Sequence, residues 1–450
     1  MLRRSVIAVG LALGLLSPAL PQGQAQAQAP RQNVTFWYGL TGQLSEVVQQ
    51  VCQRFNDSQA QYRITCVSQG EYAQALQNTI AAFRAGEQPT IVQVYDIGTA
   101  DLMLSGQYVP ARELMAQQGY RIDWTNYLPP IAAYYATSEG EMLSFPFNSS
   151  TAVMYWNRAA GRKAGIEQAP ATWQDLGRAL RAIKASGRAC PMAMDFDSWA
   201  LFEQFAAIHN LPIATKQNGY GGLDAEYIFN QGLIREHFNT LLAWYKEGLV
   251  QIRTKQAGQD PVTSFAADDC AVAFASIASH QSIRKTAVSG LDWTPALLPV
   301  WEGHSRINSR VGGASLWALR GRPAEEYKGA AAFFDFLAKP ESETFWATET
   351  GYIPVTRTGY DSLKAQGFFQ RPENVGREVA MESLLLTEPT ENSRGLRLGN
   401  MTQFRAAYAN EIQAAFAGQK TMDQALSALQ DQGNQLLRRF EQTYRGKRLP

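Results

Sequence analysis

The side chains best suited to gripping a polar ligand stand where strands give way to loops. Trp37 and Tyr38 close the first apolar strand-like run, Asp96 closes the third, and Tyr72 opens the helix after the second. In open α/β sheets ligands sit at the carboxyl ends of strands. A carboxylate there accepts hydrogen bonds from hydroxyls, and a phenol donates or accepts them. The aromatic content, 10 Trp and 18 Tyr, suits stacking on the face of a polyol or sugar. Taken singly, each of these aromatics reads better as core than as a ligand contact. Motifs for covalent or metal chemistry are missing. The chain has no Walker phosphate loop, no histidine pair at zinc-protease spacing and no Gly-x-Ser-x-Gly elbow, since Gly313-Ala314-Ser315-Leu316-Trp317 lacks the second glycine. With 4 His and no close Cys-x-x-Cys pair, the zinc reading is weak and no metal is expected.

The elements that must position these residues follow from hydrophobic periodicity. Val34 to Tyr38 reads as a strand, Leu44, Val47, Val48, Val51 and Phe55 as one face of a helix, and Tyr62 to Val67 as a second strand. A helix carrying Leu76, Ile80 and Phe83 ends near Gly86, and Thr90 to Tyr95 is an apolar run suited to a buried parallel strand. This alternation predicts an open α/β sheet. A second helix starts at Thr172, a capping hydroxyl with Asp175 three residues on, and carries Trp173, Leu176, Leu180 and Ile183 on its apolar face. The last helix has Leu426, Leu429, Leu436, Leu437 and Phe440 as its stripe.

Length and charge bound the remaining classes. At 450 residues the chain suits two domains with a sizeable core. A formal net charge of +1 argues against nucleic acid and anionic membrane surfaces as partners, because both want a basic face. Arg3 and Arg4 precede an apolar stretch, Ser5 to Leu16, too short to span a bilayer comfortably. Ala25-Gln26-Ala27 then offers a small-x-small cleavage site, so residues 1–27 read as a signal peptide. Four cysteines in an exported chain allow three pairings. Cys52 and Cys66 fall in neighbouring elements, which favours joining them and leaves Cys190 with Cys270.

The segments FPFNSST (Phe145 to Thr151), GGASLW (Gly312 to Trp317), TGYIPVT (Thr350 to Thr356) and GLRLGNM (Gly395 to Met401) resemble the periplasmic sn-glycerol-3-phosphate-binding proteins of bacterial ATP-driven importers. Matching stretches run in order along essentially the whole mature chain, among them QVYDIGTA (Gln93 to Ala100), TWQDL (Thr172 to Leu176) and GNQLLRRFE (Gly433 to Glu441). The resemblance implies two α/β lobes, each a mostly parallel sheet flanked by helices, with the ligand in the cleft between them. Lobe one would hold residues 33–149 and 313–354, and lobe two 152–311 and 357–450. Crossings would fall at Ser150-Thr151, near Val311-Gly312 and after Pro354. It further implies a non-catalytic monomer in the periplasm with no cofactor, delivering its small-molecule ligand to a permease and ATPase in the inner membrane.

By the same resemblance the ligand contacts would be Tyr72, Asp96, Ser150, Trp173, Ser276, Gly313, Tyr352 and Arg397. These types suit a phosphate, which needs an arginine fork, hydroxyls and a free backbone N–H, joined to an alcohol, which needs an acceptor and an aromatic wall. Arg397, between Leu396 and Leu398 and before Gly399-Asn400, reads as part of a tight non-helical turn. Alternatives stay open. Ser149 competes with Ser150, Trp173 also lies on its helix's apolar stripe, Gly312-Gly313 also suits a tight crossing, and Tyr352 also suits an ordinary strand end. Two departures lie on the alcohol side: Asp96 stands in place of a longer glutamate, and Tyr38 in place of a histidine. They leave glycerophosphodiesters such as glycerophosphocholine as a competing ligand class, with a secreted hydrolase of such diesters as the reading from another class.

Overall fold

The computed structural model describes residues 31–450; the expected signal peptide lies outside the described residues. Two mixed sheets, one of six strands and one of five, build the two halves of the molecule. The first half opens with β1 (Gln32–Tyr38), β2 (Tyr62–Ser68) and β3 (Ile91–Tyr95), followed by the short β4 (Tyr108–Val109) and β5 (Phe145–Ser150). The second is made of β6 (Ala152–Asn157), β7 (Cys190–Met194), β8 (Val250–Ile252), β9 (Cys270–Ser276) and β10 (Trp293–Ala296). β11 (Gly312–Leu319) then returns to the first.

In the first sheet β1 lies parallel between β2 and β3, and β11 runs antiparallel to β3, β4 and β5. All five residues of β3 are buried, as its mostly apolar run requires, with Gln93 as the one polar exception. The second sheet has the order β10-β6-β9-β7-β8, with β7 parallel to β8 and β9, and β6 antiparallel to β9 and β10. Layered helices cover both. α1 (Gly42–Ser58) buries Val47, Val48, Val51, Cys52 and Phe55, and α2 (Tyr72–Ala85) stops at Gly86 in the left-handed conformation. The later helices used below are α3 (Pro129–Tyr135), α4 (Trp173–Ala185), α5 (Gly232–Lys246), α6 (Met401–Phe416) and α7 (Met422–Thr443). The Thr172 hydroxyl caps α4 by accepting from Asp175 N–H at 3.0 Å, and Thr421 with Gln424 forms a capping box on α7.

Cys52–Cys66 joins α1 to β2, and Cys190–Cys270 joins paired residues of β7 and β9. The chain passes from one sheet to the other at Thr151, between the end of β5 and the start of β6. It returns through residues 310–312, and a third segment, 353–356, runs alongside. Ser150 pairs with Gly312, and Ile353 N–H donates to the Ser149 carbonyl at 3.0 Å. Three neighbouring extended segments therefore link the halves, a hinge-like arrangement. Among the described residues no helix is long and apolar enough to cross a membrane.

Candidate ligand-binding cleft

Two polar assemblies meet where the sheets face each other. The first is a relay of amides and phenols on the first sheet. Gly39 N–H donates to Gln93 Oε1 at 2.8 Å, Gln93 Nε2 donates to Asn148 Oδ1 at 2.8 Å, and Asn148 Nδ2 donates to the Tyr72 hydroxyl at 2.7 Å. The Tyr72 and Tyr352 hydroxyls lie 3.2 Å apart. Asn148 thus uses an acceptor position on Tyr72, and with one phenol proton spent between the two hydroxyls, the pair keeps one proton to donate. Burial, and then the neighbouring Tyr352, push the Tyr72 pKa well up, which keeps it protonated. Rings hold the pair in place: Tyr72 stacks on Tyr95 and Tyr352 on Trp346, with centroids 5.3 and 5.7 Å apart.

The second assembly is a buried cluster of four charges drawn from four distant parts of the chain. Asp96, in the short 3₁₀ turn after β3, is 4% exposed and stands 3.7 Å from Arg405 Nη2 on α6. Arg405 is fixed by a two-point grip on Glu203, with Nε to Oε1 and Nη2 to Oε2 both at 2.8 Å. Ser198 Oγ also donates to Glu203 Oε1 at 2.7 Å. Glu203 belongs to a π-helical turn, Trp199–Gln204, a conformation frequent at functional sites. Arg310, just before β11, is the fourth charge, with Nη2 at 3.7 Å from Glu203 Oε2.

Their electrostatics differ with their partners. Burial, with help from Glu203, raises the Asp96 carboxyl to about 6 against the pull of Arg405 and Arg310. Burial also works to raise Glu203, but Arg405 and Arg310 overcome it and hold that carboxyl below its usual range. Glu203 is therefore a fixed anion, and Asp96 titrates near neutrality. Above the cluster, α3 contributes Tyr134 and Tyr135, whose hydroxyls are buried without partners and whose pKa values burial, and then Asp96, push well up. Ser149 Oγ is buried and unpartnered as well. Donors outnumber acceptors here.

The structure brings Tyr72, Tyr352 and Asp96 to this place, with Ser150 and Gly313 at its edge on the crossing strands. Gly313 has φ +101°, and a Cβ there would lie 1.9 Å from the Asn148 carbonyl oxygen, so only glycine fits. Ser276 ends β9; its Oγ accepts from Ala278 N–H at 3.1 Å, which leaves the hydroxyl proton free to donate. Two expected contacts are placed differently. Trp173 is 3% exposed, stacked on Phe274 and edge-on to His237 and Phe205, because the apolar stripe of α4 turns it into the core. Arg397 is held by backbone: Nη2 donates to the carbonyls of Tyr134 and Ala136, and the guanidinium lies over the rings of Tyr134 and Tyr220 at 5.4 and 4.7 Å, while Nη1 is buried without a partner. Arg405, eight residues on, is the arginine beside Asp96. Tyr38 is also occupied elsewhere, bonded to Ser45 and Gln49 at 2.8 Å each.

Sequence reasoning missed Arg405, Glu203, Arg310 and Trp199. Arg405 sits on the buried stripe of α6 with Met401, Phe404, Tyr408 and Ile412, and a charge on an apolar stripe is a legible signal. Glu203 likewise interrupts the apolar run Trp199 to Ile208. Half-buried Trp199 covers Gly312 so closely that a Cβ there would lie 2.3 Å from its ring. Among the described residues no group of three or more His, Cys, Asp or Glu is placed to hold a metal ion.

Comparison with known proteins bears on this geometry. The chain is 38% identical over 445 residues to the sn-glycerol-3-phosphate-binding periplasmic protein UgpB of Escherichia coli K12, covering 98% of each chain. A Mycobacterium tuberculosis UgpB, solved in complex with glycerophosphocholine, superposes with a TM-score of 0.76 at 20% identity, covering 91% of this chain and all of that one. The acarbose-binding GacH receptor of Streptomyces glaucescens superposes with a TM-score of 0.74 at 14% identity over 91% of this chain and 99% of that one. These likenesses share the two-lobed α/β fold described above. A sequence profile of bacterial extracellular solute-binding proteins matches residues 50–372, and the chain belongs to that family.

Proposed function

We propose that this protein is the periplasmic solute-binding subunit of an ATP-driven importer and binds sn-glycerol 3-phosphate between its halves without catalysis. The observation that carries the reading is the surplus of buried, unpartnered donors around a single titratable carboxylate. Tyr134, Tyr135 and Ser149 hydroxyls have no acceptor, the Tyr72–Tyr352 pair keeps one phenol proton to donate, and Arg405 adds a charge. Buried donors left unmade are costly, so such a set calls for a ligand rich in acceptor oxygens. A phosphate supplies these, and Asp96 is the acceptor for the alcohol hydroxyls. The Escherichia coli relative, named for this ligand, supports the same assignment. Delivery to a membrane permease and its ATPase follows from that likeness.

A glycerophosphodiester is the second reading. Asp96 is drawn toward Arg405 instead of reaching for an alcohol, and half-buried Trp199 offers an aromatic face to a choline cation. Titration calorimetry with both ligands separates the two, and native mass spectrometry of protein purified without added ligand weighs whatever co-purifies. The pure protein incubated with either ester should release neither choline nor inorganic phosphate. Turnover that survives repurification would end the binding-only reading.

A further inference from the structure

Arg310 is the charge to which the reading above assigns no role. Its backbone is pinned at the crossing between sheets. Gln204 Nε2 donates to its carbonyl at 2.7 Å, its N–H donates to Gln204 Oε1 at 3.1 Å, and Thr151 Oγ1 donates to the same carbonyl at 3.3 Å. The side chain runs inward and is 1% exposed. There Nε, Nη1 and Nη2 are all buried with no hydrogen-bond partner. Among the described residues it is the one arginine of which this holds. Glu203 Oε2, at 3.7 Å, attracts the charge but is too distant to accept a hydrogen bond from it. A buried guanidinium without acceptors is unfavourable unless an anion completes it.

We propose that Arg310 is a ligand-binding and specificity-determining residue: it holds the ligand phosphate alongside Arg405 and makes the cleft favour a dianionic phosphate monoester over a monoanionic diester. This rests on the phosphate reading above. Arg405 spends Nε and Nη2 on Glu203, so one fork alone leaves few donors for a phosphate. A monoester presents three terminal oxygens and a charge near −2, enough for both arginines. A diester presents two terminal oxygens and a charge of −1, and its second ester arm occupies the side from which Arg310 would bind. The competing role for Arg310 is a structural counter-ion to Asp96 and Glu203.

Calorimetry on the parent and Arg310→Met, with sn-glycerol 3-phosphate and glycerophosphocholine, decides between them, together with the Tm of each ligand-free protein. Methionine keeps a long side chain and removes the unpartnered charge. Affinity for glycerol 3-phosphate should fall at least tenfold and that for glycerophosphocholine by less, while the ligand-free Tm holds or rises. Equal fractional losses for the two esters, or no loss for the monoester, overturn the proposal and leave the phosphate reading standing. A ligand-free Tm that drops together with equal losses identifies the counter-ion role. A parent that binds neither ester overturns both readings. Should Arg310→Met not fold, Arg310→Lys keeps the charge without the fork. It should weaken the monoester several-fold at unchanged Tm, and an unchanged affinity overturns the proposal.

Discussion

Two arginines eight residues apart are held in different ways, one by backbone carbonyls and one by carboxylates. Arg397 ties α3 to the turn before α6 through the Tyr134 and Ala136 carbonyls, while Arg405 holds its charge beside Asp96. Burial works against the Arg405 charge, but Glu203 and then Asp96 outweigh it and hold its pKa well above the usual value. Lysine at each position separates a fork that binds ligand from one that binds backbone. Arg405→Lys should lose roughly tenfold in glycerol 3-phosphate affinity, about 1.4 kcal/mol, with Tm nearly kept, because a lysine still neutralises Glu203. Arg397→Lys should lower Tm and leave affinity within a few-fold. Calorimetry and thermal melts on both variants check this, and the reverse ranking would return the phosphate to Arg397. Arg397 comes from the family resemblance, and its sequence setting adds only a tight turn, a local feature. Nothing local announces that its guanidinium faces carbonyls.

Elements were legible wherever one face of a helix or strand is buried by its immediate neighbours. The strand–helix alternation up to Tyr95, the Thr172 cap and the stripe of α7 all appear where periodicity puts them. The reading slips at α2, where Ile80 was placed on the apolar face but is 42% exposed, and Ala75, Leu76 and Thr79 turn inward. A hydroxyl at position 79 hid that face, because Thr79 Oγ1 satisfies itself on the Ala75 carbonyl. Element-level chemistry also sets a pH dependence beside the third crossing. Glu343, on the helix Pro340–Thr350, accepts from Thr356 Oγ1 at 2.9 and 3.0 Å, and burial pushes its carboxyl up to about 7 against those bonds. Below the ordinary value of 4.5 it is protonated folded or unfolded and contributes nothing. As pH rises toward 7 the unfolded chain ionises first, so stability falls, by about 3 kcal/mol at most. Glu343→Gln should therefore gain stability over the parent at pH 8 but not at pH 4.5. Urea melts at the two pH values check it, and an equal difference at both would rule out Glu343 as the titrating group.

At the scale of the whole molecule, the two-sheet architecture was readable and the charge cluster was not. Asp96, Glu203, Arg310 and Arg405 come from four segments far apart in sequence, and nothing local to any one of them points to the other three. Their meaning arises only once β3, the π-helical turn, the crossing before β11 and α6 converge. The turn after β3 is tied to α6 at that meeting point by Asp96 with Arg405, and the end of β3 by the Tyr95 hydroxyl with Thr402 Oγ1 at 2.6 Å. The disulfides lie elsewhere, one in each half, and their order along the chain carries a consequence for biogenesis. Each bond joins cysteines that are consecutive in sequence, Cys52 to Cys66 and then Cys190 to Cys270. A polypeptide threaded N-terminus first into an oxidising compartment exposes them in pairing order. Each thiol that emerges second finds its native partner as the only one waiting, so oxidation during translocation gives the right connectivity without reshuffling. Export from a host lacking a disulfide isomerase should therefore yield correctly bridged protein at the normal level, and non-reducing peptide mapping would show it. Denatured, reduced chains reoxidised all at once have lost that temporal order, and mispaired species should appear among them.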